Sequence, residues 1–270
     1  MEIERKPSDS GLRLIDSHVH LDELEELGLS IERARQAGVV AIIAVGQGGS
    51  SNQRTLEIAE RYPRLVYPAL GLHPGALAGL GEGEVATEIN FIQDNVSRVV
   101  ALGEIGLDYD KRILSTTPKV WQQDVLRRLL ALARQYDKPV VLHSRYAWKD
   151  AFDLVQQSGV SRAVFHWYTG FANVLDGILK AGYLISATPA AEYHEEHRRA
   201  IRQAPLDGLL LETDAPVYYG RDHKYRSEPA DILRSLRAVS AIKGMAETVV
   251  AEQTTNNACR FFGLDRWSQP

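Results

Sequence analysis

Apolar residues gather in eight short runs along the chain, and most of these runs turn polar at their C-terminal end. The first four are LRLIDSHVH (12–20), VVAIIAVG (39–46), LVYPALGLHP (65–74) and VVALGEIGLD (99–108). The next four are PVVLHS (139–144), AVFHWY (163–168), YLISA (183–187) and GLLLETDAP (208–216). Several are nearly continuous in Val, Ile, Leu and Ala, as in strands buried on both faces of a parallel sheet. Helical periodicity fills the gaps. In PKVWQQDVLRRLLALARQYDK, residues Val125, Leu129, Leu132 and Ala133 fall near one stripe, and EPADILRSLRAVSAIKG opens with Pro in a first turn and stops at Gly. The last stretch, MAETVVAEQTTNNACRFFGL, predicts a packing helix with a Gly cap. Alternation of strand and helix about eight times predicts an α/β chain folded as a single (β/α)₈ TIM barrel. One domain over residues 1–270 is the economical reading, with 1–11 as a polar lead.

The polar breaks carry the chemistry. His18 and His20 end the first run, His73 the third, and Glu104 sits near the end of the fourth. His143 closes the fifth, His166 lies near the end of the sixth, and Glu212 and Asp214 finish the eighth. In a barrel the C-terminal strand ends converge at one mouth, so these dispersed residues are expected in one pocket. On an extended strand Asp16, His18 and His20 would project to one face.

Four histidines and two carboxylates exceed a lone tetrahedral zinc and fit a cluster of two divalent ions. Two dications repel unless an anion lies between them, and Glu104 is the expected bridge. A solvent molecule between the ions would be the nucleophile, and Asp214 would ligate a metal and accept a proton. Histidine-rich ligation favours Zn or Mn over Mg. Asp16 is expected to orient a ligand. Glu212, on the same side as Asp214, would hold an inner ligand or an arginine.

Composition changes the picture only a little. The chain has 270 residues, 44% hydrophobic and 24% charged, with a formal net charge of −4, which gives no global attraction to nucleic acid. The single cysteine, Cys259, permits no intramolecular disulfide, reads as a buried apolar residue and points to a reducing, cytoplasmic setting. The opening MEIERKPSDSG does not read as a secretory signal, and no stretch approaches the roughly 18 apolar residues of a membrane span.

DSHVHLD (16–22), GLHP (71–74), GEIGLDY (103–109), VVLHSR (140–145), FHWYTG (165–170) and LLLETDAP (209–216) together resemble, in this order, TatD-type hydrolases. These are metal-dependent deoxyribonucleases of the amidohydrolase-like superfamily, whose distorted barrel the resemblance implies here. It implies that His18 and His20 hold one metal, His143 and His166 the second, Glu104 bridges both, and Asp214 ligates and serves as base. It implies that His73 faces a substrate phosphate, and that Mg or Mn support activity. FHWYTG replaces the more usual FHCFSG, and of VYYGRDHKYRSEP only Arg226, Glu228 and Pro229 keep the usual pattern.

The leading expectation is a phosphodiesterase acting 3′ to 5′ on single-stranded DNA ends, with no membrane and no stable protein partner. Arg145 could reach the mouth, and Arg221, His223, Lys224 and Arg226 crowd the loop after the eighth strand, where barrels often bind phosphate. Trp167, Tyr168 and Tyr109 border ligand positions and could stack on a base or simply pack. His194 and His197, on a charged helix, are expected at the surface. A deacylase or amidohydrolase acting on an amide or ester is the alternative, since fold does not fix function. A binding module without catalysis is a third reading.

Overall fold

The computed structural model describes residues 11–264, so residues 1–10 of the expected polar lead lie outside the described residues. Within them the apolar runs form β1 (Leu14–Val19), β2 (Val39–Val45), β3 (Val66–Leu70) and β4 (Ala101–Gly106), then β5 (Val140–His143), β6 (Ala163–Phe165), β7 (Leu184–Ala187) and β8 (Leu209–Leu211). The strands pair in sequence order, every pair parallel. A parallel bridge between Val19 and Ala215 joins the two edges. The result is the expected eight-stranded barrel, nearly closed.

Helices α1 (Leu27–Gln36), α2 (Gly49–Arg61), α3 (Glu82–Asp94), α4 (Lys111–Leu114) and α5 (Lys119–Gln135) cover the first half. The second half carries α6 (Trp148–Ser158), α7 (Ala172–Lys180) and α8 (Glu195–Gln203). After β8 come a short hairpin of β9 (Tyr218–Tyr219) and β10 (Tyr225–Arg226), then α9 (Ile232–Lys243) and α10 (Glu247–Phe262). The predicted stripe on α5 is buried, and α9 and α10 both end at a left-handed glycine, Gly244 and Gly263. Glycine pays no Cβ clash there, which is why these helices stop where they do.

Apolar burial divides into two layers. Leu, Ile and Val side chains of the strands meet the helices outside the barrel. A second cluster of small and branched residues (Ile15, Ala41, Ile43, Ala69, Val141, Leu210) extends to Phe261 and Phe262 of α10. These aromatic rings pack at the N-terminal end of the strands, leaving the opposite end to form a mouth. Asn257 anchors the same helix by donating to the carbonyls of Leu206 and Leu209 at 2.9 and 2.8 Å. Cys259 is buried, as expected. Among the described residues no helix is long and apolar enough to cross a membrane.

Asp16 is a correction. Its carboxylate accepts from Thr213 N at 2.9 Å and Thr213 Oγ1 at 2.6 Å, tying β1 to the residues that follow β8. Its Oδ1 also accepts from the backbone N–H of His18 at 3.4 Å, so Asp16 holds backbone and not a ligand ring. It fastens the closing seam instead. His20 donates its N–H to Ala215 O at 2.8 Å, and Asp214 donates to His18 O at 3.0 Å, so three candidate ligands lie on that seam.

Candidate metal centre

The polar side chains lie mostly just beyond the strands, not within them. His20, His73, His166, Glu212 and Asp214 all follow the last residue of their strand. The backbone departs from extended geometry at this rim: Tyr146, Trp167 and Asp214 have φ of 56°, 42° and 49°. Left-handed backbone in a non-glycine residue costs about 1–3 kcal/mol and gathers at functional sites. It turns the Asp214 carboxylate back over the barrel mouth.

Glu104 is the hub. Its Oε2 lies 3.7 Å from His18 Nε2 and 3.6 Å from His20 Nε2. Asp214 Oδ1 lies 3.5 and 3.4 Å from the same two nitrogens, which are 3.3 Å apart. Bonds of about 2.0–2.1 Å would separate tetrahedral donors by about 3.4 Å, so these atoms are spaced like the edges of a coordination shell. The other oxygen, Oε1, faces His143 Nδ1 at 2.8 Å and His166 Nε2 at 2.9 Å, with those nitrogens 3.3 Å apart. One carboxylate therefore addresses two pairs of imidazoles, one with each oxygen.

Outer contacts aim the rings. Asp108 Oδ2 lies 3.0 Å from His143 Nε2, which leaves Nδ1 to face Glu104. His20 Nδ1 meets Val45 O at 3.3 Å and Gln47 Nε2 at 3.1 Å. Glu212 Oε1 accepts from Trp167 N at 3.0 Å and sits 3.5 Å from His166 Nδ1, a nitrogen with no hydrogen-bond partner among the described residues. Asp108 and Gln47 were not singled out from sequence. The alternating polar residues of GLD and VGQ were the only signal.

Glycine lets the hub approach. A Cβ on Gly71 would stand 2.2 Å from the Glu104 carbonyl oxygen, so GLHP needs its glycine for β4 to pass. Electrostatics follow from the crowding. Burial raises the Glu104 carboxyl, but the imidazoles of His73, His166 and His143 hold it well below the usual carboxylate range. Burial lowers His20, yet Asp214 and Glu104 outweigh it and raise the ring to about 9. Burial also opposes charge on His166, and Glu104 and Glu212 reverse that, raising it well above an ordinary imidazole. His18 goes the other way, lowered by burial and by the positive charge of His166, whose ring lies 4.1 Å away.

Imidazole nitrogens and carboxylate oxygens converging on shared points suit divalent cations, which would take the place of the protons these rings otherwise hold. The residues fit a metal: His18, His20 and Glu104 form one candidate group, His73, Glu104 and His143 a second, and His18, His166 and Asp214 a third.

A cavity of about 760 Å³ opens over this centre. His73, Arg145, Trp167, Tyr146 and Trp148 line it, with Glu23, Glu196 and His194 on its rim. His73 Nδ1 accepts from Gly75 N at 3.0 Å, and burial lowers the ring to about 3, so the neutral ring carries its proton on Nε2, 3.9 Å from Glu104 Oε1.

Other expectations need correcting. Tyr109 faces the helices: its hydroxyl meets Asp150 and Gln123, both at 2.8 Å, and it does not line the cavity. Arg226 bonds Glu25 Oε1 at 2.7 Å and Glu23 O at 3.0 Å, so it ties the hairpin to the loop after β1 and likewise does not line the cavity. Arg221 donates to Tyr193 O at 2.6 Å, and neither His223 nor Lys224 lines the cavity. Tyr168 is wholly buried and packs. His197 is buried too, held between Thr188 N at 3.1 Å and Tyr168 O at 3.0 Å, because α8 turns that face inward. His194 is half-exposed, at the cavity rim.

A family model described as "TatD related DNase" matches residues 15–263. The human protein "Deoxyribonuclease TATDN3" is 32% identical over 265 residues, covering 94% of this chain and 96% of that protein. The metal-dependent hydrolase YjjV of Escherichia coli (strain K12) is 36% identical over 264 residues, covering 93% and 98%. The crystal structure of YjjV, a TatD homologue, superposes with a TM-score of 0.85 at 30% identity, covering 94% of this chain and 99% of that one. A hydrolase TatD family protein from Entamoeba histolytica shares the fold, with a TM-score of 0.83 at 23% identity over 96% of this chain and 100% of that one. With the seam-borne histidines, the Glu104 hub and the barrel now described, the chain belongs to the TatD-related DNase family of metal-dependent hydrolases.

Proposed function

We propose that this hydrolase is a two-metal phosphodiesterase that removes nucleotides from single-stranded DNA, 3′ to 5′. The observation that carries the reading is the division of Glu104: Oε2 faces His18 and His20, while Oε1 faces His143 and His166. His18, His20, Glu104 and Asp214 would hold one ion, and Glu104, His143 and His166 the other. When bound, Mg, Mn or Zn ions would supply Lewis acidity that polarises a phosphoryl oxygen and acidifies water.

The chain's own residues do the rest. Asp214 Oδ1, beside His18 and His20, is positioned to accept the proton of an attacking water. His73 presents a neutral Nε2–H donor to a phosphate oxygen, and Arg145 supplies the positive charge at the cavity wall. A phosphate held between these two side chains and Asp214 would be open to in-line attack. The reading takes residues 12–264 as one barrel unit. It includes a reducing, cytoplasmic setting, supported by the lone buried cysteine.

Sparse positive charge keeps an amide or ester hydrolase as the competing reading, because Arg145 shares the rim with Glu23 and Glu196. Turnover of single-stranded DNA, duplex DNA, RNA and acylated amino acids in parallel, with Mg, Mn and Zn, separates the two. Cleavage of single-stranded DNA by the wild type, lost in a folded Glu104→Gln protein, is expected. Turnover of acylated amino acids alone would overturn the nuclease reading.

A further inference from the structure

We propose that Tyr146, Trp148 and Phe171 form a stacking platform for a nucleobase beside the phosphodiester held at the metal centre. The inference rests on the nuclease reading above and adds the feature of the substrate that this chain grips. Tyr146 and Phe171 are 61% and 63% exposed, an unusual state for large aromatic rings so close to a catalytic cavity. Between them stands Trp148, edge-on to Tyr146 with ring centroids 5.8 Å apart and to Phe171 at 5.4 Å. Tyr146 and Trp148 line the same cavity as His73, His143 and Arg145.

Local structure holds the platform open. Tyr146 adopts left-handed backbone at φ 56°, between Arg145, whose carbonyl accepts from Tyr109 N at 2.9 Å, and Ala147, whose N–H donates to Ser144 O at 3.1 Å. Left-handed backbone in a non-glycine residue gathers at functional sites, and here it displays an aromatic ring to solvent. Trp148 rests on the bare backbone of Gly170, where a Cβ would stand 2.4 Å from its Cγ. Phe171 follows directly and starts α7.

Charge decides what lies on it. Among the described residues that line the cavity, Arg145 is the one Lys or Arg, and it directly precedes Tyr146; Asp108 and Asp110 lie within electrostatic reach of it but do not line the cavity. A polyanion is drawn to the Arg145 side, with its neighbouring base over the aromatic wall. Aromatic rings beside a cation are how proteins hold single-stranded nucleic acid without reading sequence. Trp167, the other aromatic at the cavity, rests on Tyr219 with ring centroids 5.4 Å apart.

The test is binding to the metal-loaded protein with phosphorothioate linkages, so that turnover does not intrude, read by anisotropy of a labelled single-stranded oligonucleotide and of an equally long oligomer of abasic sites. Wild type should prefer the base-bearing oligomer by about tenfold, the worth of one stack. Tyr146→Ala and Phe171→Ala should each narrow that preference, and Tyr146→Phe should keep it. Equal binding of the two oligomers by the wild type, or an undiminished preference in both alanine variants, overturns the platform. Turnover of the same sequence with ordinary phosphodiester linkages and Mn is measured separately. Base preference without cleavage leaves the platform standing and removes the nuclease reading. Cleavage without base preference does the reverse.

Discussion

Asp108 Oδ2 lies 3.0 Å from Nε2 of His143, and the opposite nitrogen of that ring lies 2.8 Å from Glu104 Oε1. The carboxylate thus chooses which face of the imidazole is offered to the centre, the arrangement by which outer groups orient metal ligands.

Replacing Asp108 with Asn keeps the shape and removes the charge. The affinity of the His143–His166 group for a divalent ion should fall by about 10–100-fold, with the His18–His20 group retained. Metal titration against a competing chelator resolves the two steps, and an unchanged second step would refute the orienting role.

Metal affinity should depend on pH. His20 is raised to about 9 by Asp214 and Glu104 despite burial, so below that value it carries a proton that an ion must displace. Affinity of the first group is expected to rise about tenfold per pH unit toward about 9 and then level off. A flat profile across the neutral range would show that His20 is already neutral there.

His197 predicts a different pH effect, on stability. Burial pushes the ring down to about 4, below its unfolded value of about 6.5. Between these values the unfolded chain binds the extra proton, so stability is complete above the unfolded value and is lost as pH falls through the window, by up to about 3 kcal/mol. Denaturant unfolding across that window should show a shallower pH dependence for His197→Gln, which also loses about 1–3 kcal/mol at neutral pH. Equal slopes for both proteins would sink the assignment.

Glycine at position 71 is expected to be indispensable. A Cβ there meets the Glu104 carbonyl oxygen at 2.2 Å, so Gly71→Ala must push β3 and β4 apart, at a cost of about 1–3 kcal/mol, and displace the hub carboxylate. Thermal denaturation and metal content should both fall. Gly83→Ala, in α3 with nothing within 4 Å of its added Cβ, should be neutral or slightly stabilising.

Strand positions were legible because a fully buried parallel strand writes a continuous apolar run, as VVAIIAV does for β2. The donor residues were legible because each breaks such a run, as His143 does after VVL. Tyr109 and Arg226 were misread for one reason: adjacency to a motif says nothing about where a loop turns. Tyr109 turned toward α5 and α6, and Arg226 found Glu25. His197 was misread because its neighbours are charged, although its own face of α8 is the buried one.

By itself the sequence determined the barrel and the end of it that bears the chemistry, since periodicity reports how a side chain stands on its own strand. Only the tertiary structure decided that Glu104 divides its oxygens between two imidazole pairs, that Asp108 stands behind His143, and that Tyr146, Trp148 and Phe171 share one wall. These are distances between segments far apart in the chain. They are set by how strands and helices pack, and no local pattern encodes them.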